Sequence, residues 1–67
     1  MTFAETMLNF RAKYGLTQKQ AAEILGVHLN MISAYEKSKK KPRPVNLIAF
    51  KRKMEDYERK MENVKNV

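Results

Sequence analysis

Residues 15–36, GLTQKQAAEILGVHLNMISAYE, decide the fold, because they spell two short helices on either side of a glycine. Thr17 and Gln20 stand three residues apart, the spacing of a capping box. Ala21, Ala22, Ile24 and Leu25 then follow at helical spacing. Gly26 supplies the left-handed residue that ends this helix, and Val27 can pack back on it. A second helix, from about His28 to Glu36, buries Ile32 and Tyr35 and leaves its other positions outside. Two helices joined this tightly cross at a steep angle, so one of them stands proud of the surface.

Size and charge narrow what such a unit does. Sixty-seven residues make one small domain, and a chain this short buries only roughly 60% of the surface its unfolded form exposes. The chain has no cysteine, so neither a disulfide nor a thiolate metal site is open to it, and helix packing or self-association must supply the stability. Its apolar runs fall far below the ~20 residues that cross a bilayer, and no apolar signal segment opens it. A cytoplasmic protein with no membrane partner is expected. The formal charge is +7 and unevenly placed: residues 37–43, KSKKKPR, hold five of the fourteen basic residues and no acid. A basic run alone is as readily a solvated loop. Directly behind two steeply crossed helices, phosphate contact with nucleic acid is the stronger reading.

Outside this stretch, Thr2-x-x-Glu5 is a second capping box, opening a first helix whose Phe3, Met7, Phe10 and Tyr14 recur at spacings of 4, 3 and 4. Gly15 stops that helix. The next two run over about 18–25 and 28–36, and Pro42 and Pro44 close the basic loop, Pro44 suiting the first turn of a further helix. From there no Gly or Pro interrupts the chain. Leu47, Phe50, Met54, Tyr57, Met61 and Val64 are spaced 3, 4, 3, 4 and 3, an apolar seam over nearly three heptads. Lys51 with Glu55, Arg52 with Asp56, Glu55 with Arg59 and Asp56 with Lys60 pair opposite charges one turn apart, each worth only ~0.2–0.5 kcal/mol. Together they predict one helix from about 45 to 62.

Two readings of the seam compete. In one, Leu47, Ile48 and Phe50 pack on the first three helices and the remainder drapes over the domain. In the other, Met54, Tyr57, Met61 and Val64 pair with a second copy or a different protein, and this is the expectation adopted. It divides the chain into a DNA-binding domain over 1–50 and a C-terminal helical extension over 51–67.

The string Arg11…Gly15-Leu16-Thr17-Gln18…Ala22…Leu25-Gly26-Val27…Ile32-Ser33…Tyr35-Glu36…Pro42…Leu47…Ala49 resembles the Cro/C1-type, or XRE-type, helix-turn-helix family of small, mostly bacterial and phage DNA-binding regulators. The resemblance covers roughly residues 5–50. It implies an all-α, lambda-repressor-like helix-turn-helix domain of four to five helices. Here the extended charged C-terminal helix stands where the family's usual fifth helix is not recognisable. Carried over position by position, Gln18 resembles a phosphate contact helped by the N-terminal amides, with Lys19 adding charge. Arg11 and Glu36 match an orienting salt bridge. Lys39, Lys40, Lys41 and Arg43 match the segment that clamps the DNA backbone, and His28, Leu29, Asn30, Ser33 and Ala34 match the base readers.

The chemistry of those readers is uneven. Asn30 is the strongest, since its amide can bond adenine N6 and N7 together, whereas Ser33 discriminates less. His28 sits at the helix entrance, where a lone histidine is more often a plain cap; with no Cys, Asp or second His nearby, no metal site is expected. Leu29, Met31 and Ala34 are apolar, suited to a thymine methyl or to a protein surface, although for Met31 the domain core is the favoured place. No nucleophile, paired carboxylate or Gly-rich phosphate loop is present at useful spacing, so neither an enzyme nor a cofactor is expected. Two functions follow. One is a Cro-like transcriptional regulator, plausibly one side of a phage lysis–lysogeny switch, binding double-stranded operator DNA as a homodimer. The other is a modulator or antirepressor that binds a phage repressor protein through Leu29 and Met31 or through the C-terminal seam.

Overall fold

The computed structural model describes the backbone of residues 2–65 and the side chains of residues 2–63. Its elements are α1 (Phe3–Tyr14), α2 (Gln18–Leu25), α3 (Leu29–Glu36) and α4 (Pro44–Lys65). Both capping boxes form. The Glu5 N–H donates to Thr2 Oγ1 at 3.2 Å. At α2 the Gln20 N–H donates to Thr17 Oγ1 at 3.1 Å, and the Thr17 N–H donates to Gln20 Oε1 at 2.8 Å. Helix α3 begins one residue later than the spacing suggested, because His28 is extended and serves as its cap.

Three helices end by the same backbone reversal. Gly15 and Gly26 have φ of 63° and 71°, and the following N–H turns back onto the helix, Leu16 to the Arg11 carbonyl at 2.9 Å and Val27 to the Ala22 carbonyl at 3.0 Å. Both glycines accept this left-handed conformation without a Cβ clash. Helix α3 ends identically with Ser38 in the same role, at φ 58°, and the Lys39 N–H reaches the Ala34 carbonyl at 2.9 Å. A side-chain-bearing residue there costs on the order of 1 kcal/mol.

The core joins all four helices: Met7 and Phe10 from α1, Ala21, Ala22 and Leu25 from α2, Ile32 and Tyr35 from α3, and Phe50 and Met54 from α4. Met7, Leu25 and Ile32 are fully enclosed. Edge-on aromatic contacts extend it at both ends. Phe3 meets Tyr35 with ring centroids 5.3 Å apart, and Tyr57 meets Phe10 at 5.7 Å and Tyr14 at 5.3 Å. Such geometry places positive ring edges against negative ring faces.

These contacts correct the expected use of the seam. Met54 is only 5% exposed, Tyr57 packs against the same core, and Met61 is half-buried. Three short helices leave one side of Phe10 and Leu25 uncovered, and the seam of α4 closes it; Met54 and Tyr57 are therefore inner side chains of this chain and not anchors for a partner. Val64 lies outside the residues whose side chains are described. Ile48, expected to pack inward, instead faces out. The helix runs unbroken across residue 50. Lys53 also belongs to the domain, donating through Nζ to the Leu25 carbonyl at 3.1 Å, where a cation complements the α2 C-terminus. Lys13 and Glu58, 3.7 Å apart, link α1 to α4, and Asp56 meets Arg59 at 3.7 Å; exposed pairs of this kind contribute little. No helix among the described residues is long and apolar enough to cross a membrane.

Met54→Ala is expected to destabilise the domain by about 2–4 kcal/mol, a cavity cost within the chain. Thermal melts at protein concentrations tenfold apart (roughly 10 and 100 μM) should show the same loss; a loss that grows on dilution would return Met54 to an intersubunit seam.

Candidate nucleic-acid interface

Helix α3 divides its side chains between two environments. Ile32 and Tyr35 are buried, and Met31 packs against the core cluster. Leu29 and Asn30 are exposed, and Ser33 and Ala34 are half-buried. Residues three and four apart share a helix face, so Asn30, Ser33 and Lys37 form one outward row, with Leu29 and Ala34 at its margins. Met31, named both as a partner contact and, with preference, as a core residue, packs against the core cluster.

The entrance to this row is held by His28. Its Nδ1 accepts from the Asn30 N–H at 3.0 Å, satisfying one of the unpaired amides that open a helix. An accepting Nδ1 carries no proton, which leaves Nε2–H as the ring's donor. The cap and a phosphate or base contact through Nε2 are therefore compatible.

Behind the row lies one carboxylate with two donors. Arg11 donates through one terminal nitrogen to both Glu36 oxygens at 2.8 Å, and Gln18 Nε2 donates to Glu36 Oε1 at 2.9 Å. Arg11 Nε also donates to the Leu16 carbonyl at 3.1 Å. The Glu36 side chain is 7% exposed, so these bonds lie largely out of water. Charge-assisted bonds of this kind are about twice as strong as neutral ones. The end of α3 is thereby fixed to α1 and to the start of α2. Gln18 joins this brace through one N–H of its amide. Its amide nitrogen keeps a second N–H, so at this corner the brace leaves room for a phosphate contact beside the α2 N-terminal amides and exposed Lys19.

Beyond α3 the chain presents Lys37, Lys39, Lys40, Lys41 and Arg43, all exposed. The reversal at Ser38 starts this segment, with the Lys39 and Lys40 N–H groups both aimed at the Ala34 carbonyl, at 2.9 and 3.4 Å. Its backbone is thus anchored to the same helix that carries Asn30. Lys37 is a member of the outward row that sequence reading assigned only to the basic loop; its spacing, four residues after Ser33, was the available signal. Among the described residues no group of three or more His, Asp or Glu side chains is placed to hold a metal ion.

The model of a helix-turn-helix family matches residues 7–53. That span takes in α1 from Met7, all of α2 and α3, the basic loop, and α4 as far as Lys53. No curated protein and no solved structure matches the chain.

Glu36→Gln keeps the shape of the brace and removes its charge. It is expected to cost about 1.5–3 kcal/mol, the worth of hydrogen bonds to a charged group, lowering Tm by on the order of 10 °C in a domain of this size. An unchanged melting curve would reduce the bridge to an incidental contact.

Proposed function

The chain belongs to the Cro/C1-type helix-turn-helix family of DNA-binding transcription regulators, and we propose that within it this protein is a Cro-like regulator that sets α3 into the major groove of operator DNA. The observation that carries this reading is an exposed basic cluster at one end of the outward helix, where Gln18, the neighbour of Lys19, reaches Glu36 at 2.9 Å. Lys19 lies at the α2 N-terminus, and Lys37 to Arg43 follow the α3 C-terminus. A helix with phosphate-seeking groups clustered at its end is held in register while its outward row reads base edges.

Within that register Asn30 is the principal reader, bidentate on adenine. Ser33 and Lys37 extend the row, Leu29 and Ala34 meet thymine methyls, and His28 contributes through Nε2–H. Lys39, Lys40, Lys41 and Arg43 bond phosphates, as does Lys19. A homodimer would present two such helices to half-sites roughly 34 Å apart, one turn of the duplex. The second reading, a modulator that occupies a phage repressor protein, keeps Leu29, 40% exposed, but loses Met31, Met54 and Tyr57 to the core. The balance favours DNA.

Fluorescence anisotropy with a duplex selected from a random pool, and with its scrambled counterpart, tests the proposal at several salt concentrations. Asn30→Ala should weaken the selected duplex by about 1–3 kcal/mol and leave the scrambled one nearly unchanged. Replacing Lys39, Lys40 and Lys41 together by Ala should weaken both duplexes alike and flatten the salt dependence by about three units of slope. Equal affinity of the parent protein for the two duplexes would defeat the sequence-specific reading.

A further inference from the structure

The start of α1, the end of α3 and the basic loop leave a cavity of about 510 Å³ between them, a size typical of small-molecule sites. Its floor is apolar and buried, made by Ala4 and Tyr35. Half-buried Phe3, Pro42 and Leu47 form the walls, and exposed Lys40 and Lys41 stand at the mouth. Phe3 and Tyr35 meet edge-on with centroids 5.3 Å apart, so the lining offers an aromatic guest both ring edges and ring faces. The loop above is no loose flap. The Lys39 and Lys40 N–H groups hold the Ala34 carbonyl, and the cavity is formed without an occupant.

Charge selects among the flat apolar molecules that fit. No acid is among the described residues that line this cavity. The two acids adjacent to lining residues in sequence are engaged elsewhere, Glu5 by the Thr2 hydroxyl at 3.1 Å and Glu36 by Arg11 and Gln18. Helix α1 begins at the cavity wall, so the positive end of its dipole adds to the two ammoniums. The hollow of about 400 Å³ between α1 and α4 differs: Lys13 and Lys51 line it together with Glu55 and Glu58, and it favours neither sign. An aromatic ring desolvated on Tyr35 and Leu47, with a carboxylate turned out to Lys40 and Lys41, satisfies both parts of the first cavity. Its hydrogen bonds to the ammoniums are charge-assisted.

We propose that this cavity binds a small aromatic carboxylate of one or two rings, and that the bound molecule draws Lys40 and Lys41 away from DNA phosphates. The same two ammoniums cannot serve a ligand carboxylate and the duplex backbone at once, so the ligand is an antagonist of DNA binding. The ligand site stands on the cavity alone. The antagonism rests on the proposed contact of the loop with phosphates, and the two are measured separately.

Naphthalene-2-carboxylate serves as the probe, followed first by amide chemical shifts of the full chain without DNA. Saturable shifts concentrated on Ala4, Tyr35, Lys41 and Leu47 are expected. Naphthalene-2-carboxamide, neutral and of the same shape, should bind about tenfold more weakly, for want of a charged acceptor. Leu47→Trp fills the cavity and should abolish probe binding. The double variant Lys40→Ala with Lys41→Ala lies outside the core, and should bring the carboxylate down to the affinity of the carboxamide. Shifts spread evenly over the chain's lysines, or equal binding of carboxylate and carboxamide by the parent, overturn the site. In the second arm, saturating probe should weaken the selected and scrambled duplexes alike and flatten the salt dependence by about two units of slope. Duplexes that stay bound to a probe-saturated parent overturn the antagonism. A chain that binds the probe but neither duplex supports the cavity site and defeats the operator reading instead.

Discussion

One carboxylate organises the three helices that form the candidate interface. Glu36 stands at the end of α3 and accepts from Arg11 of α1 and Gln18 of α2. Replacing a largely buried ion pair by well-packed apolar groups often costs a fold nothing, so its main worth is not stability as such. What apolar groups lack is direction. A fork of charged hydrogen bonds admits one angle between α3 and its supports, and the row of Asn30, Ser33 and Lys37 is useful only at a fixed angle. The brace and the recognition face are the two sides of one short helix.

A short helix also needs ends that do not unravel. Repeating the left-handed reversal after α1, α2 and α3 lets three segments of 12, 8 and 8 residues turn back within a very small volume. The third reversal falls on Ser38 instead of a glycine, and it launches the basic segment while its amides still hold the Ala34 carbonyl. Helix α4 then supplies what three short helices cannot, a fourth wall of Phe50, Met54 and Tyr57 over Phe10 and Leu25. The family match ends at Lys53, the residue that caps α2 through its ammonium. The contacts of Tyr57 with Phe10 and Tyr14 carry the packing one turn further.

The features legible in the sequence are those fixed by neighbours in the chain. Thr2 with Glu5, Thr17 with Gln20, and the glycines at 15 and 26 announce their roles because caps and reversals depend on a few adjacent residues. The pairing of Arg11 with Glu36 was legible only through the family's pattern, since 25 residues separate them. The seam of α4 was misassigned for a physical reason. Periodicity shows that one face of a helix is apolar and says nothing of what covers it, and a lid over its own domain has the same 3-4 spacing as a coiled coil. The brace from Gln18 to Glu36 was not legible, because 18 residues separate them and one amide at a helix start serves a phosphate or a carboxylate equally well. Ile48 escaped because it sits two residues before the core position Phe50 and beside half-buried Leu47, and only the geometry of α4 turns it outward.

The chemistry of α3 explains why a second copy matters. A single bidentate reader provides about 1–3 kcal/mol of discrimination, whereas a basic segment of this density binds any duplex through phosphates. For one domain the non-specific term dominates, and selectivity is poor. Pairing two domains doubles the number of readers, but a strong pair would also double the phosphate attraction at every site on the genome. A weak pair would avoid this: in the proposed homodimer two copies would remain together only where both half-sites hold them, through the effective concentration that a shared duplex provides. Because Met54 and Tyr57 are used inside the domain, a homodimer of this chain would lack the long hydrophobic seam of α4 as its contact.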